Sequence, residues 1–275
     1  MKIGINHWTF PMDMTLRESF ALARRVGCDT MEVNLAETGE LSLETSEAEA
    51  RAIANAAAEE GIELSSLSTS LYWKTSPSSN DPAVRVRSGD ILERQLRVAR
   101  WLGVDTVLVV PGAVTADVSY DVAYDRAHAL ATRALPIARE TGVGIGIENV
   151  WNKFLLSPLE MRDFVDLFAD PLVGVYFDAG NILASGYPQH WIRILGHRIR
   201  KVHVKDYDDD VPGMGGFRNL LQGSVPWAEV RTALREIGYD GPVTAEVTGY
   251  PAFPELGLRH IAECLRAIVS DAPPL

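Results

Sequence analysis

Four side chains in this sequence have types and positions suited to holding a divalent cation: Glu148, Asp178, His203 and Glu246. They fall at or near the ends of the short apolar runs Gly144–Glu148, Gly174–Asp178, Lys201–Lys205 and Val243–Val247. If those runs are parallel strands of one sheet, the four groups meet at one end of it. Three carboxylates between apolar walls repel one another unless a cation lies among them. Three oxygens and one imidazole, without a thiolate, suit Mn²⁺ or Mg²⁺, with Co²⁺ and Zn²⁺ as further options. A divalent ion would leave the site at a formal charge of about −1, and one carboxylate basic enough to take a proton.

Other polar and aromatic residues share the same end of the predicted strands. His7, Trp8 and Trp151 could wall a small substrate or serve as core. Glu32 could bond a substrate hydroxyl or a strand neighbour, and Lys205 is expected to pair with a mouth carboxylate or meet the substrate. Ser66, Ser68 and Ser70 end one run, and Asn181 follows Asp178 closely. Lys153 could meet a phosphate or a hydroxyl, or stay solvated. His128, His197 and His260 fall in helical segments away from the mouth and receive no role.

The elements that must position these groups repeat along the chain. The four further runs are Lys2–Asn6, Thr30–Asn34, Glu63–Ser68 and Thr106–Val110, giving eight candidate strands. Each is apolar on both faces, as a strand covered on both sides should be. The intervening segments read as helices. Thr15 with Glu18 and Ser46 with Glu49 have the spacing of capping boxes. Pro158 and Pro82 stand at first helical positions. Gly27, Gly61, Gly103, Gly142 and Gly238 stand where helices should end. Eight strand–helix units in 275 residues predict an α/β fold, a (β/α)8 TIM barrel, with residues 1–275 as one domain. An open doubly wound sheet would carry a glycine-rich turn after the first strand. His7-Trp8-Thr9-Phe10-Pro11 contains no glycine.

Composition narrows the function classes. A net charge of −11 opposes a general nucleic-acid binder. No run of 18 apolar residues suggests a membrane span. Two cysteines, Cys28 and Cys264, exclude a disulfide scaffold and a thiolate zinc module. The N-terminus lacks a signal-peptide pattern, so a cytoplasmic location is expected.

The runs Gly146-Ile147-Glu148-Asn149, Tyr176-Phe177-Asp178-Ala179-Gly180-Asn181, Lys201-Val202-His203-Val204-Lys205-Asp206 and Gly238-Tyr239-Asp240-Gly241-Pro242 to Glu246 resemble the sugar phosphate isomerase/epimerase family. That family has a xylose isomerase-like TIM barrel. It includes ketose 3-epimerases and L-xylulose- and L-ribulose-5-phosphate 3-epimerases. The resemblance spans essentially the whole chain. It implies that Glu148, Asp178, His203 and Glu246 hold the metal and that Glu148 and Glu246 double as the acid/base pair. It also implies a substrate contact for Arg218 and a homo-oligomer, dimer or tetramer. Asn181 stands where several free-ketose epimerases have a histidine, and Gln222 where many relatives have a glutamate.

The chemistry that the resemblance implies is C3 epimerisation of a ketose or ketose phosphate through an enediolate. One glutamate removes the proton and the other returns it to the opposite face. Return to the adjacent carbon would give an aldose–ketose isomerase instead. Loss of water would give a dehydratase of an inosose-like polyol ketone. A multi-zinc DNA-repair endonuclease of this superfamily would need histidines where this chain has Glu32 and Ser66–Ser70. A non-catalytic sugar-binding barrel would not need two glutamates facing a metal. Gly213–Gly216 with Arg218 could form an anion nest for a phosphate, or a flexible lid.

Overall fold

The structure is a computed structural model that describes residues 1–270. Eight parallel strands close into a barrel, and helices cover its outside. In chain order the barrel strands are β1 (Ile3–Asn6), β2 (Thr30–Asn34), β3 (Glu63–Ser68), β4 (Thr106–Val109), β5 (Gly144–Glu148), β6 (Val173–Asp178) and β7 (Ile199–Val204). After β7 come two short strands of a separate antiparallel ribbon, β8 (Asp206–Tyr207) and β9 (Phe217–Arg218). The last barrel strand, β10 (Val243–Ala245), pairs with β7 on one side and β1 on the other and closes the ring. The fold is therefore the predicted (β/α)8 barrel.

The helices are α1 (Leu16–Val26), α2 (Glu47–Glu59), α3 (Pro82–Leu102), α4 (Tyr120–Thr141), α5 (Pro158–Asp166), α6 (Ala179–Leu183), α7 (Pro188–Leu195), α8 (Trp227–Glu236) and α9 (Pro254–Val269). Both expected capping boxes form. Thr15 and Ser46 accept from the amides of Glu18 and Glu49, whose carboxylates reach back to the cap amides. Such caps are worth about 1 kcal/mol each. Gly103 and Gly142 close α3 and α4 at φ of 78° and 71°, a left-handed turn that a side chain would strain.

The strand residues are buried almost throughout because the barrel interior lies on one face and the helices on the other. Paired residues of parallel strands face the same side. Asn6, Glu32 and Ser66 thus form one row across β1, β2 and β3, and Asp178 stands beside His203 across β6 and β7. Irregularities at Met31/Glu32 and Val175/Tyr176 shift the register just where these polar residues turn inward. Among the described residues no helix is long and apolar enough to cross a membrane.

Candidate metal centre and active site

The ends of four neighbouring strands bring Glu148, Asp178, His203 and Glu246 together. One ligand atom from each lies within 4.8 Å of all the others. Glu148 ends β5, Asp178 ends β6, His203 is the penultimate residue of β7, and Glu246 follows β10. The Glu246 amide donates to Val204 O at 3.0 Å, so Glu246 continues the strand's path beyond its last paired residue.

Local hydrogen bonds aim these groups. Asp178 caps α6: Oδ1 accepts from the Asn181 amide at 2.9 Å. That leaves Oδ2 turned toward the other carboxylates. Asn149 grips the Asp178 backbone from both sides, accepting from its amide and donating to its carbonyl, each at 2.8 Å. His203 Nδ1 is buried without a hydrogen-bond partner, 3.6 Å from Glu148 Oε1 and 3.8 Å from Glu246 Oε2. Asp178 Oδ2 is fully enclosed and its partner is the Lys205 ammonium, at 2.8 Å. Two enclosed electron-pair donors facing one space beside two further carboxylates fit a divalent cation.

Electrostatics point the same way. Burial pushes the Glu148 carboxyl up to about 7, and the charge of Glu246 adds to the effect against the pull of His203 and Lys205. The Lys205 ammonium is enclosed, which disfavours its charge. Asp178, Glu246 and Glu148 more than reverse that and raise it above the usual lysine range. Lys205 bonds Glu246 as well as Asp178. It is therefore shared by two of the proposed ligands rather than held by one mouth carboxylate. Gly180 makes room for it: a Cβ there would meet Lys205 O at 2.4 Å.

A cavity of about 950 Å³ opens above the donors. Its walls include Trp8, Trp73, Trp151, Leu108 and Val110, with Asn181, Lys205, Arg218, Glu148 and Glu246 supplying polar groups. Trp151 donates to Asn181 O at 2.8 Å and packs on Phe217, 4.9 Å between ring centres. Asn181 spends its side-chain amide on Asn149 O at 2.9 Å. Lys153 does not line this cavity. It lines a second one, of about 760 Å³, beyond Trp151 and Asn181.

Three further parts of the sequence take the following places. Gly213–Gly216 forms a 3-10 turn immediately before β9. Arg218 is drawn into that ribbon, donating to Gly215 O at 2.6 Å and pairing with Asp208 at 3.1 Å while still lining the cavity. Glu32 does not reach the cavity: it is fully enclosed behind His203, whose Nε2 lies 2.8 Å from its Oε1. The pleat of β2 carries it into the barrel below the mouth.

His7 is also turned away. Its Nε2 lies 3.2 Å from Ser19 Oγ in α1, and its ring stacks on Phe10. Burial lowers its pKa to about 4. An unfolded histidine titrates near pH 6.5. Between those values the unfolded chain binds more protons, so stability is full above the window and falls as pH drops through it. From pH 7.5 to 5 this group should remove about 2 kcal/mol. Urea midpoints of the wild type and His7→Gln should diverge over that range. Parallel curves would refute the burial argument.

Residues 20–268 match the family described as xylose isomerase-like TIM barrel. The chain belongs to that family. SgbU of Escherichia coli (strain K12), provisionally named an L-ribulose-5-phosphate 3-epimerase, is 29% identical over 262 residues, covering 90% of this chain and 88% of its own. The L-ribulose-5-phosphate 3-epimerase UlaE of Escherichia coli O1:K1 / APEC is 26% identical over 259 residues, covering 89% and 86%. A crystal structure of D-psicose 3-epimerase, determined in the presence of D-fructose, has a TM-score of 0.81 at 22% identity over 98% of this chain and 99% of the other. That last likeness speaks for the xylose isomerase-like barrel itself.

Two residues that shape the site have no role assigned from the sequence. Asn149 reveals its part only once β5 and β6 are neighbours. Tyr176, two residues before Asp178 and so on the same strand face, sits below the donors and bonds Glu32. That two-residue spacing was the available signal.

Proposed function

We propose that this protein is a divalent-metal-dependent epimerase acting at C3 of a ketose or ketose phosphate. The observation that carries the reading is the cluster of Glu148, Asp178, His203 and Glu246, two of which, Glu148 and Glu246, line a cavity large enough for a sugar. The names of SgbU and UlaE support the C3 position and the ketose class. A bound divalent ion would supply Lewis-acid polarisation of the substrate carbonyl, with Mn²⁺ the first choice for this donor set.

The chain's own residues do the rest. Glu148 and Glu246 come from strands on either side of β6 and β7, which lets them flank a substrate at the mouth. One carboxylate oxygen takes the C3 proton, leaving the substrate as an enediolate. The other glutamate returns a proton to the opposite face. Trp8, Trp73 and Trp151 cover apolar faces of the sugar and exclude water. Asn181, Lys205 and Arg218 supply hydrogen bonds to its oxygens.

The test is NMR of the Mn²⁺-treated protein in D₂O with a panel of ketopentoses, ketohexoses and their 5- or 6-phosphates. Deuterium at C3 together with the C3 epimer is the expected result, and the sugar that exchanges names the substrate class. Label at C1 or C2 with an aldose product would replace epimerase by isomerase. A product lighter by one water would replace it by dehydratase.

A further inference from the structure

Behind the proposed ligands lies a second charged layer that the proposed reaction does not use. Glu32 is fully enclosed and accepts hydrogen bonds at both oxygens. Oε1 takes Asn6 Nδ2 and His203 Nε2, the latter at 2.8 Å. Oε2 takes Tyr176 OH and Ser66 Oγ, the latter at 2.7 Å. Ser66 Oγ and Tyr176 OH are themselves 2.9 Å apart. Four donors from β1, β3, β6 and β7 thus converge on one carboxylate from β2.

We infer that Glu32 is a positioning residue that commits His203 to coordinate a cation through Nδ1. This rests on the metal reading above. An ionised carboxylate can only accept, so His203 must carry its proton on Nε2. When a cation displaces the ring's second proton, the lone pair then lies on Nδ1, the nitrogen that faces Glu148 and Glu246. Glu32 fixes both the tautomer and the ring plane, and its charge makes the imidazole a stronger donor. Asn6, Ser66 and Tyr176 hold Glu32 by saturating its remaining acceptor sites.

Glutamine at this position could not substitute. Its amide offers one acceptor and one donor end where the surroundings present donors on both sides. If the amide nitrogen faces His203, Nε2 must accept and the proton moves to Nδ1, which then cannot bind a cation. If the amide nitrogen faces the other way, it meets the hydroxyls of Ser66 and Tyr176, which must turn and release their hold.

The test pairs metal affinity with a spectroscopic signature, on the full chain. Co²⁺ titrated into the wild type, Glu32→Gln and Tyr176→Phe gives the affinities. In ¹⁵N-histidine-labelled protein, metal-free and Zn²⁺-loaded, the His203 Nε2–H proton reports on its partner. The wild type should show that proton protected from exchange and shifted downfield by the carboxylate. Glu32→Gln should lose that shift and weaken Co²⁺ binding by roughly 10–100-fold. Tyr176→Phe removes one donor to Glu32 and should weaken binding by roughly 3–10-fold, an intermediate loss. It decides the matter if Glu32→Gln does not fold.

Co²⁺ affinities of both variants within twofold of wild type, or an unmoved Nε2–H signal in Glu32→Gln, would overturn the inference while leaving the metal reading intact. A wild type that binds no Co²⁺ would overturn both. Loss of Co²⁺ binding in Asp178→Asn, with the Nε2–H signal intact, shows that the two readouts are independent.

Discussion

Glu246→Gln is expected to lower the epimerisation rate by about a thousandfold or more while leaving the fold intact. The substitution keeps the shape of the side chain and removes its ability to exchange a proton. Loss of a general acid or base alone costs about 10²–10⁴-fold. Here it would also remove the charge of one proposed ligand. The fold should tolerate the change because Glu246 lies at the mouth and its side chain is 23% exposed, with Lys205 as its close ionic partner. Lys205 keeps Asp178 at 2.8 Å. Circular dichroism and Tm of the metal-free variant should match the wild type. A variant that epimerises within tenfold of wild type would remove Glu246 from the proton-transfer pair.

A chelator should abolish turnover, and Mn²⁺ or Co²⁺ should restore it. The same ion should raise Tm, since it binds a site that the unfolded chain lacks. At a thousandfold excess over its Kd it adds about 4 kcal/mol, which for a chain of this size moves Tm by roughly 5–15 °C. Asp178→Asn should erase most of that rise. Asp178 is fully enclosed, and without its charge Lys205 loses one of its two anionic partners. Differential scanning calorimetry with and without metal checks this directly. Equal Tm values in the wild type under both conditions, together with full activity in EDTA, would refute a metal requirement.

Much of this architecture could be read from local residue patterns. Each donor lies at or near the end of a Val- and Ile-rich run, and short runs followed by capped helices leave few folds open. The capping boxes at Thr15 and Ser46 depend on four consecutive residues each and form as expected. Glu32 shows where such reading stops. A glutamate in an apolar strand looks the same whether it faces the mouth or the barrel's interior. What decides is His203, 171 residues away, and Tyr176, 144 residues away. The β8–β9 ribbon was equally hidden, because strands of two residues have no periodicity to detect.

The order of the donors along the chain has a consequence for biosynthesis. Glu148, Asp178 and His203 leave the ribosome well before Glu246, and the strand that leads into Glu246 is also the one that seals the ring against β1. A nascent chain that ends before β10 has three donors on an open sheet with two unpaired edges. The fourth donor and the closed ring arrive together. If the four donors hold a metal as proposed, the full donor set exists only once β10 has closed the ring.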